Sequence, residues 1–162
     1  MAQARKKRTK DAPNAIDMLV MDHQAVDGLF RQFEKLHEAK EDTKKVIDAV
    51  RIALKIHDDL EMKIFYPAVR ERAGEEEEEL LDEAEVEHGS VQEILRALRP
   101  GKLKTKKREA NFTVLIEWVR HHVKEEENEL FPKLAKLKGL NTATLGARMM
   151  KRRIKLEKKL IG

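Results

Sequence analysis

His57-Asp58-Asp59-Leu60-Glu61-Met62-Lys63-Ile64-Phe65-Tyr66-Pro67 has a degenerate second copy in His122-Val123-Lys124-Glu125-Glu126-Glu127-Asn128-Glu129-Leu130-Phe131-Pro132. Sliding the chain on itself by this 65-residue offset also brings Asp22-His23 onto Glu87-His88, Val26 onto Val91 and Leu29 onto Ile94. A fixed offset that matches histidines, glutamates and a proline is the signature of an internal duplication. Each half reads as a helical hairpin, with helices over about 13–38 and 43–71 in the first and about 78–98 and 107–136 in the second. Thr43 and Thr105 suit first-turn positions, Gly74 and Gly101 fall in connections, and Pro67 and Pro132 fall near the ends of the second and fourth helices. The run Glu75–Glu79 opens the third helix, where negative charge suits the helix dipole.

The composition agrees with long helices. Of 162 residues, 40% are charged and 4% aromatic, with seven Gly and four Pro. Such a chain lacks the turn punctuation that a β-sandwich or barrel needs every few residues. The expected fold is therefore all-α: an antiparallel up-down four-helix bundle over residues 13–136, built from two hairpin repeats. A basic tail over 1–12 and a basic C-terminal helix over 137–162 flank it. The net charge of +4 hides this division. Residues 1–11 carry five Lys or Arg against one Asp, and residues 141–162 carry seven against one Glu, so the body between them has a net charge of −6.

The absence of Cys excludes disulfides, thiolate nucleophiles and iron–sulfur clusters. No apolar run approaches a membrane span, and MAQARKKRTK lacks the apolar segment of a secretory signal. The expectation is a soluble cytoplasmic protein without a membrane partner.

The 3-4 spacing of apolar residues defines the inward stripe of each helix, and each stripe is interrupted. The first runs Ile16, Leu19, His23, Val26, Phe30, Phe33, and the second Ile47, Val50, Leu54, His57, Glu61, Ile64. The third runs Leu81, Ala84, His88, Val91, Leu95, Leu98, and the fourth Phe112, Leu115, Val119, His122, Glu126, Leu130. Four imidazoles and two carboxylates thus aim at the bundle axis. A self-satisfied hydrogen-bond network would explain one such histidine. Six polar residues placed by an internal two-fold point instead to a two-metal site. The donor set is nitrogen-rich, with His-x-x-x-Glu in place of the Glu-x-x-His of ferritin-like centres. Mixed imidazole and carboxylate ligation suits paired iron best, ahead of manganese or zinc.

At these residues the chain resembles the hemerythrin-like family, the HHE cation-binding domains. The resemblance lies in Asp22-His23, His57 to Glu61 with Phe65-Tyr66-Pro67, Glu87-His88, and His122 to Glu126 with Phe131-Pro132. The stretch Leu145-Gly146-Ala147-Arg148 also looks like the tail of bacterial members. The resemblance implies two non-haem iron ions (Fe2+/Fe3+) bound by His23, His57, Glu61, His88, His122 and Glu126, with both glutamates bridging. It departs from oxygen-carrying hemerythrins in one respect. They have a second His four residues from the first on the third helix, where this chain has Ala84 and Gln92 around His88. One metal is then more open, or takes water or a carboxylate such as Asp58 or Glu85.

The implied activity is binding, sensing or reduction of a small oxidant, namely oxygen, nitric oxide or peroxide. Iron storage is one rival reading. Another is a structural interaction module whose basic ends contact nucleic acid or an acidic partner. No aromatic residue is interleaved with those Lys and Arg residues, so base stacking is not indicated. His37 lies about 21 Å along the axis from His23, and His121 is rotated about 100° from His122, which sets both outside the six-residue site. Tyr66 could donate a hydrogen bond near the site, yet its repeat partner is Phe131, which favours packing. The segment 141–162 is expected to start at Asn141 or Thr142 and to bury Leu145, Met149, Leu156 and Leu160 against the bundle or a second protomer.

Overall fold

The structure is a computed structural model that describes residues 13–162. Every regular element in them is helical. The first hairpin is α1 (Ala15–Glu38) and α2 (Lys44–Leu60), the latter extended by a π-helical turn (Glu61–Phe65) and α3 (Tyr66–Arg70). The second is α4 (Glu75–Ala97) and α5 (Thr105–Glu125), extended in the same way by a π-helical turn (Glu126–Leu130) and α6 (Phe131–Leu134). The last helix is α7 (Thr142–Leu160). Together they form the helical bundle that the duplicated stripes imply. The basic tail expected over residues 1–12 lies outside the described residues.

Local chemistry sets the helix starts. Asn14 caps α1 by accepting a hydrogen bond from the Asp17 N–H at 2.9 Å, and Asn141 caps α7 in the same way through the Thr144 N–H. Glu75–Glu78 form the acidic first turn of α4. Thr43 precedes α2 without capping it. Its buried hydroxyl donates instead to Glu109 on α5, whose other oxygen meets His37 Nδ1 at 3.0 Å. His37 therefore serves a contact between α1 and α5, far from the six inward polar residues.

The π turns are a feature the spacing alone does not reveal. An α-helix places residues i and i+5 about 140° apart, whereas a π turn joins them by a hydrogen bond and brings them onto one face. The Tyr66 N–H bonds to the Glu61 carbonyl, and the Phe131 N–H to the Glu126 carbonyl. Pro67 and Pro132 follow at the first positions of the new α segments, where a missing N–H is tolerated. The extra residue also corrects the second stripe. Phe65 and Tyr66 are fully buried where continued 3-4 spacing would bury Ile64, which is only partly covered.

The apolar core is split. One cluster gathers Leu19, Leu60, Phe65, Tyr66, Leu81 and Leu134 with their neighbours. The other gathers Phe30, Phe33, Ile47, Phe112 and Leu115 with theirs. Between them lies a layer of buried His and Glu.

Helix α7 packs on α1 and α2, the first of the two placements expected for its apolar face. Leu145 and Met149 are buried, and Leu156 and Leu160 lie partly covered on the same cluster. Arg152 makes a two-pronged bond to Asp59 at 2.7 and 3.0 Å, and Arg153 reaches Asp22 at 2.6 Å. Two of the basic residues are thereby spent on the bundle itself. The close approach of α7 to the start of α1 depends on Gly146. A Cβ there would stand 2.6 Å from the Pro13 carbonyl oxygen and 2.9 Å from the Ala15 nitrogen. Because both are backbone atoms, Gly146→Ala should cost about 1–3 kcal/mol in urea unfolding. An unchanged midpoint would show that α7 docks less closely than this.

Candidate metal centre

The layer between the two core clusters contains all six residues of the inward stripes. His23 on α1 and His57 on α2 face Glu61 and Glu126. His88 on α4 and His122 on α5 face the same two glutamates from the other side. The facing ligand atoms of each group lie within 4.8 Å of one another. None of the six is more than 8% exposed.

Each glutamate turns one oxygen to each hairpin. Glu61 Oε1 is 2.9 Å from His57 Nε2, while its Oε2 is 2.8 Å from His88 Nε2. Glu126 Oε1 is 3.3 Å from His23 Nε2, while its Oε2 is 3.1 Å from His122 Nε2. Close approach is not the same as hydrogen bonding here. Glu61 Oε1, Glu126 Oε1, His23 Nε2 and His122 Nε2 are buried without a partner in hydrogen-bonding geometry. Two ligand atoms bound at right angles, each about 2.1 Å from one cation, are themselves about 3 Å apart. The spacings and the orphaned atoms both fit metal binding within the layer.

A second ring of carboxylates orients the imidazoles. His23 Nδ1 meets Glu127 at 2.9 Å, His57 Nδ1 meets Asp22 at 3.1 Å, His88 Nδ1 meets Asp58 at 2.5 Å and His122 Nδ1 meets Glu87 at 3.4 Å. An ionised carboxylate only accepts, so each Nδ1 donates and each Nε2 is left facing the centre. Asp58, one of the two carboxylates considered as an extra ligand, is thus engaged behind His88. The other, Glu85, pairs with Arg70 at 2.9 Å and faces away. Asp22 and Glu87 precede His23 and His88 in the repeat, which is the one sequence signal for this ring.

Tyr66 takes the donor role that its repeat partner Phe131 cannot. It is fully buried, and its hydroxyl lies 2.6 Å from Glu126 Oε2, 3.1 Å from Glu61 Oε2 and 3.2 Å from His88 Nε2. The π turn puts it there, five residues after Glu61. Burial and the two carboxylates push its phenol well above the usual value of 10, so it stays a neutral donor. Phe131 occupies the related position and stacks on His23, at 6.1 Å between ring centres. The two halves of the layer therefore differ by one hydroxyl. His121 lies outside the layer, paired with Glu125 at 3.0 Å on the surface.

Protons occupy the layer when no cation does. Burial alone would pull the His57 imidazole down, but Glu61 and Asp22 outweigh it and push the value up to about 10. His88 reaches about 10 in the same way against Asp58 and Glu61, and His122 against Glu126 and Glu87. Burial would raise the Glu61 carboxyl, yet His57 and His88 hold it well below its usual range.

The family model described as the hemerythrin HHE cation binding domain matches residues 14–134. No curated protein and no solved structure is similar enough to count as a match.

The protonated imidazoles make a pH-dependent expectation. Raised values mean that these three histidines contribute stability fully present below 6.5, their ordinary value, and lost as pH rises through about 10. The lowered Glu61 contributes stability above its ordinary 4.5 that is lost as pH falls. The melting temperature of metal-free protein should therefore fall between neutral pH and pH 10, and metal uptake at pH 7 should release about three protons per chain. A pH-indicator titration that detected no release would mean that the metal-free imidazoles are neutral.

Proposed function

We propose that this chain, which belongs to the hemerythrin HHE cation-binding domain family, holds two non-haem iron ions and uses them to bind, sense or reduce a small oxidant. Membership in a cation-binding family and the buried His/Glu cluster support metal binding. The observation that carries the two-ion reading is the division of each carboxylate, one oxygen to each pair of histidines. His23, His57, Glu61 and Glu126 would hold one ion, and His88, His122, Glu61 and Glu126 the other. Imidazole with carboxylate suits iron, with manganese or zinc as the alternatives. Such a pair supplies electrons and open coordination positions.

The protein's part is orientation and exclusion. Asp22, Asp58, Glu87 and Glu127 fix the imidazoles, and the Tyr66 hydroxyl steadies the Oε2 atoms of Glu126 and Glu61. On the opposite face of the layer lies a pocket walled by Val26, Leu54, Val91, Val119 and Val123. It leaves about 40 Å3 for the centres of water-sized molecules, room for a few waters. Oxygen, nitric oxide or peroxide fits that space, while an organic substrate does not. Gln92, four residues after His88, is the uncharged polar side chain on this pocket. It stands at one of the two positions where oxygen carriers would supply a further imidazole.

The rival module reading draws less support, because Arg152 and Arg153 are already bound to Asp59 and Asp22. Among the described residues no helix is long and apolar enough to cross a membrane.

Protein from iron-supplied cells should contain about two irons per chain and be coloured when oxidised. His57→Ala and His122→Ala should lose metal, whereas His37→Ala should keep it. Full iron retention in all three variants would overturn the ligand assignment. Rapid mixing of the reduced protein with oxygen, nitric oxide or hydrogen peroxide should change its spectrum, and azide should perturb the oxidised form. A two-iron protein inert to all of them would be a store or a structural metal protein.

A further inference from the structure

The internal two-fold places two equivalent seams on the outside of the metal layer, one between α1 and α2 and one between α4 and α5. Their fates differ. On the first seam, Asp22 behind His57 is capped by Arg153 at 2.6 Å, and Ile56 and Leu60 are buried, while α7 packs over both helices. Shifting these residues by 65 gives Glu87, His121 and Glu125 on the second seam. No helix covers this seam. An open groove there is lined by Glu83, Glu87, Trp118, His121 and Glu125.

The three residues Glu87, His121 and Glu125 bring their ligand atoms within 4.8 Å of one another. His121 and Glu125 repeat the His-x-x-x-Glu spacing of the inner ligands, one residue out of phase. Among the described residues, no Lys or Arg is ion-paired with Glu83, Glu87 or Glu125, in contrast to Asp22. Glu87 faces both ways. Its Oε1 meets His122 Nδ1 at 3.4 Å, while its Oε2 is buried without a partner.

A second, smaller cavity lies beside the groove on the inner side. It shares Glu83, Glu87 and Glu125 with the groove and reaches His122 and Glu126. Its space for the centres of water-sized molecules is about 10 Å3, about that of one water. The His122 side chain on it is nine-tenths buried, and its Nε2 has no hydrogen-bond partner. The inner end of the seam is therefore an unsatisfied ligand of the centre. A hydrated divalent cation would exchange water for carboxylate and imidazole at the mouth before passing so narrow a neck.

We propose that the α4–α5 seam is the port through which a divalent transition-metal cation reaches the centre, with Glu87, His121 and Glu125 as its landing site. The destination rests on the two-ion centre proposed above, but the port is a separate site on residues that the centre does not use as ligands. The remaining exposed carboxylates raise the local cation concentration, and the missing counterpart on the other hairpin makes the loading one-sided.

Trp118, the one Trp of the chain, is 43% exposed in the groove and reports on it directly. Metal-free full-length protein mixed rapidly with Co2+ should show early quenching of Trp118 fluorescence, followed by the slower growth of Co2+ absorption as the centre fills. In the double variant His121→Ala/Glu125→Gln the early quench should vanish and filling should slow about tenfold or more. The final content should still be two Co2+ per chain. Glu93→Gln, an exposed change on α4 away from the groove, should behave as wild type. Filling of the double variant at the wild-type rate would overturn the port while leaving the centre intact, as would equal slowing by Glu93→Gln. Failure of the wild type to take up two Co2+ would overturn the centre, and the port with it.

Discussion

Two carboxylates buried between four imidazoles are the constraint on which this bundle depends. Glu61 and Glu126 cross the axis in the middle of an otherwise apolar core, and an uncompensated buried charge costs about 3–5 kcal/mol. Positive charge must therefore sit among them, either as cations or as protons on His57, His88 and His122. The outer carboxylates follow from the same need. A buried imidazole that presents Nε2 inward must place its Nδ1–H somewhere, and Asp22, Asp58, Glu87 and Glu127 each accept one. The core is consequently not one cluster but two, held apart by a polar layer whose geometry is set on all four helices.

The duplication supplies this geometry economically, and its breaks carry the individuality of the protein. Asp22 and Glu87 serve equivalent roles in the two halves. The other two outer partners do not correspond, because the repeat mate of Glu127 is Met62 and that of Asp58 is Val123. Neither Met nor Val can accept an imidazole N–H well, so each half borrows its second carboxylate from a different position. Tyr66 and Phe131 differ by the hydroxyl that bridges the two glutamates on one side only. A pair of cations held here would experience unequal surroundings although their protein ligands are symmetric.

The surroundings of the layer are divided by chemistry. The pocket walled by Val26, Leu54, Val91, Val119 and Val123 approaches it from one face and is too small for anything beyond a few atoms. The α4–α5 seam approaches it from the side and is lined with carboxylates. A neutral oxidant is compatible with the first and a hydrated cation with the second. On the other hairpin α7 packs along the related seam, and the groove left there carries Ile56 in the place of His121 and has its Asp22 held by the guanidinium of Arg153.

Helical periodicity and the 65-residue repeat were sufficient to read the helices, their hairpin pairing and all six inward polar residues. Those features are governed by local spacing and by the need of each helix to bury one face. The ring of outer carboxylates was only half visible, because Asp22 and Glu87 repeat while Asp58 and Glu127 do not. Tyr66 stands between packing and a donor role in the sequence for a local reason. Its place on the inner face exists only because a π turn inserts an extra residue after Glu61, and 3-4 spacing cannot register that shift. The docking of α7 on α1 and α2 was likewise a tertiary decision. It turns on the Gly146 backbone approach and on Arg152 and Arg153 finding Asp59 and Asp22, residues over ninety positions away. Sequence alone thus determined what points at the axis, because that depends on each helix separately. Tertiary structure decided which carboxylate stands behind each imidazole and which seam α7 packs along, because those choices depend on where one helix meets another.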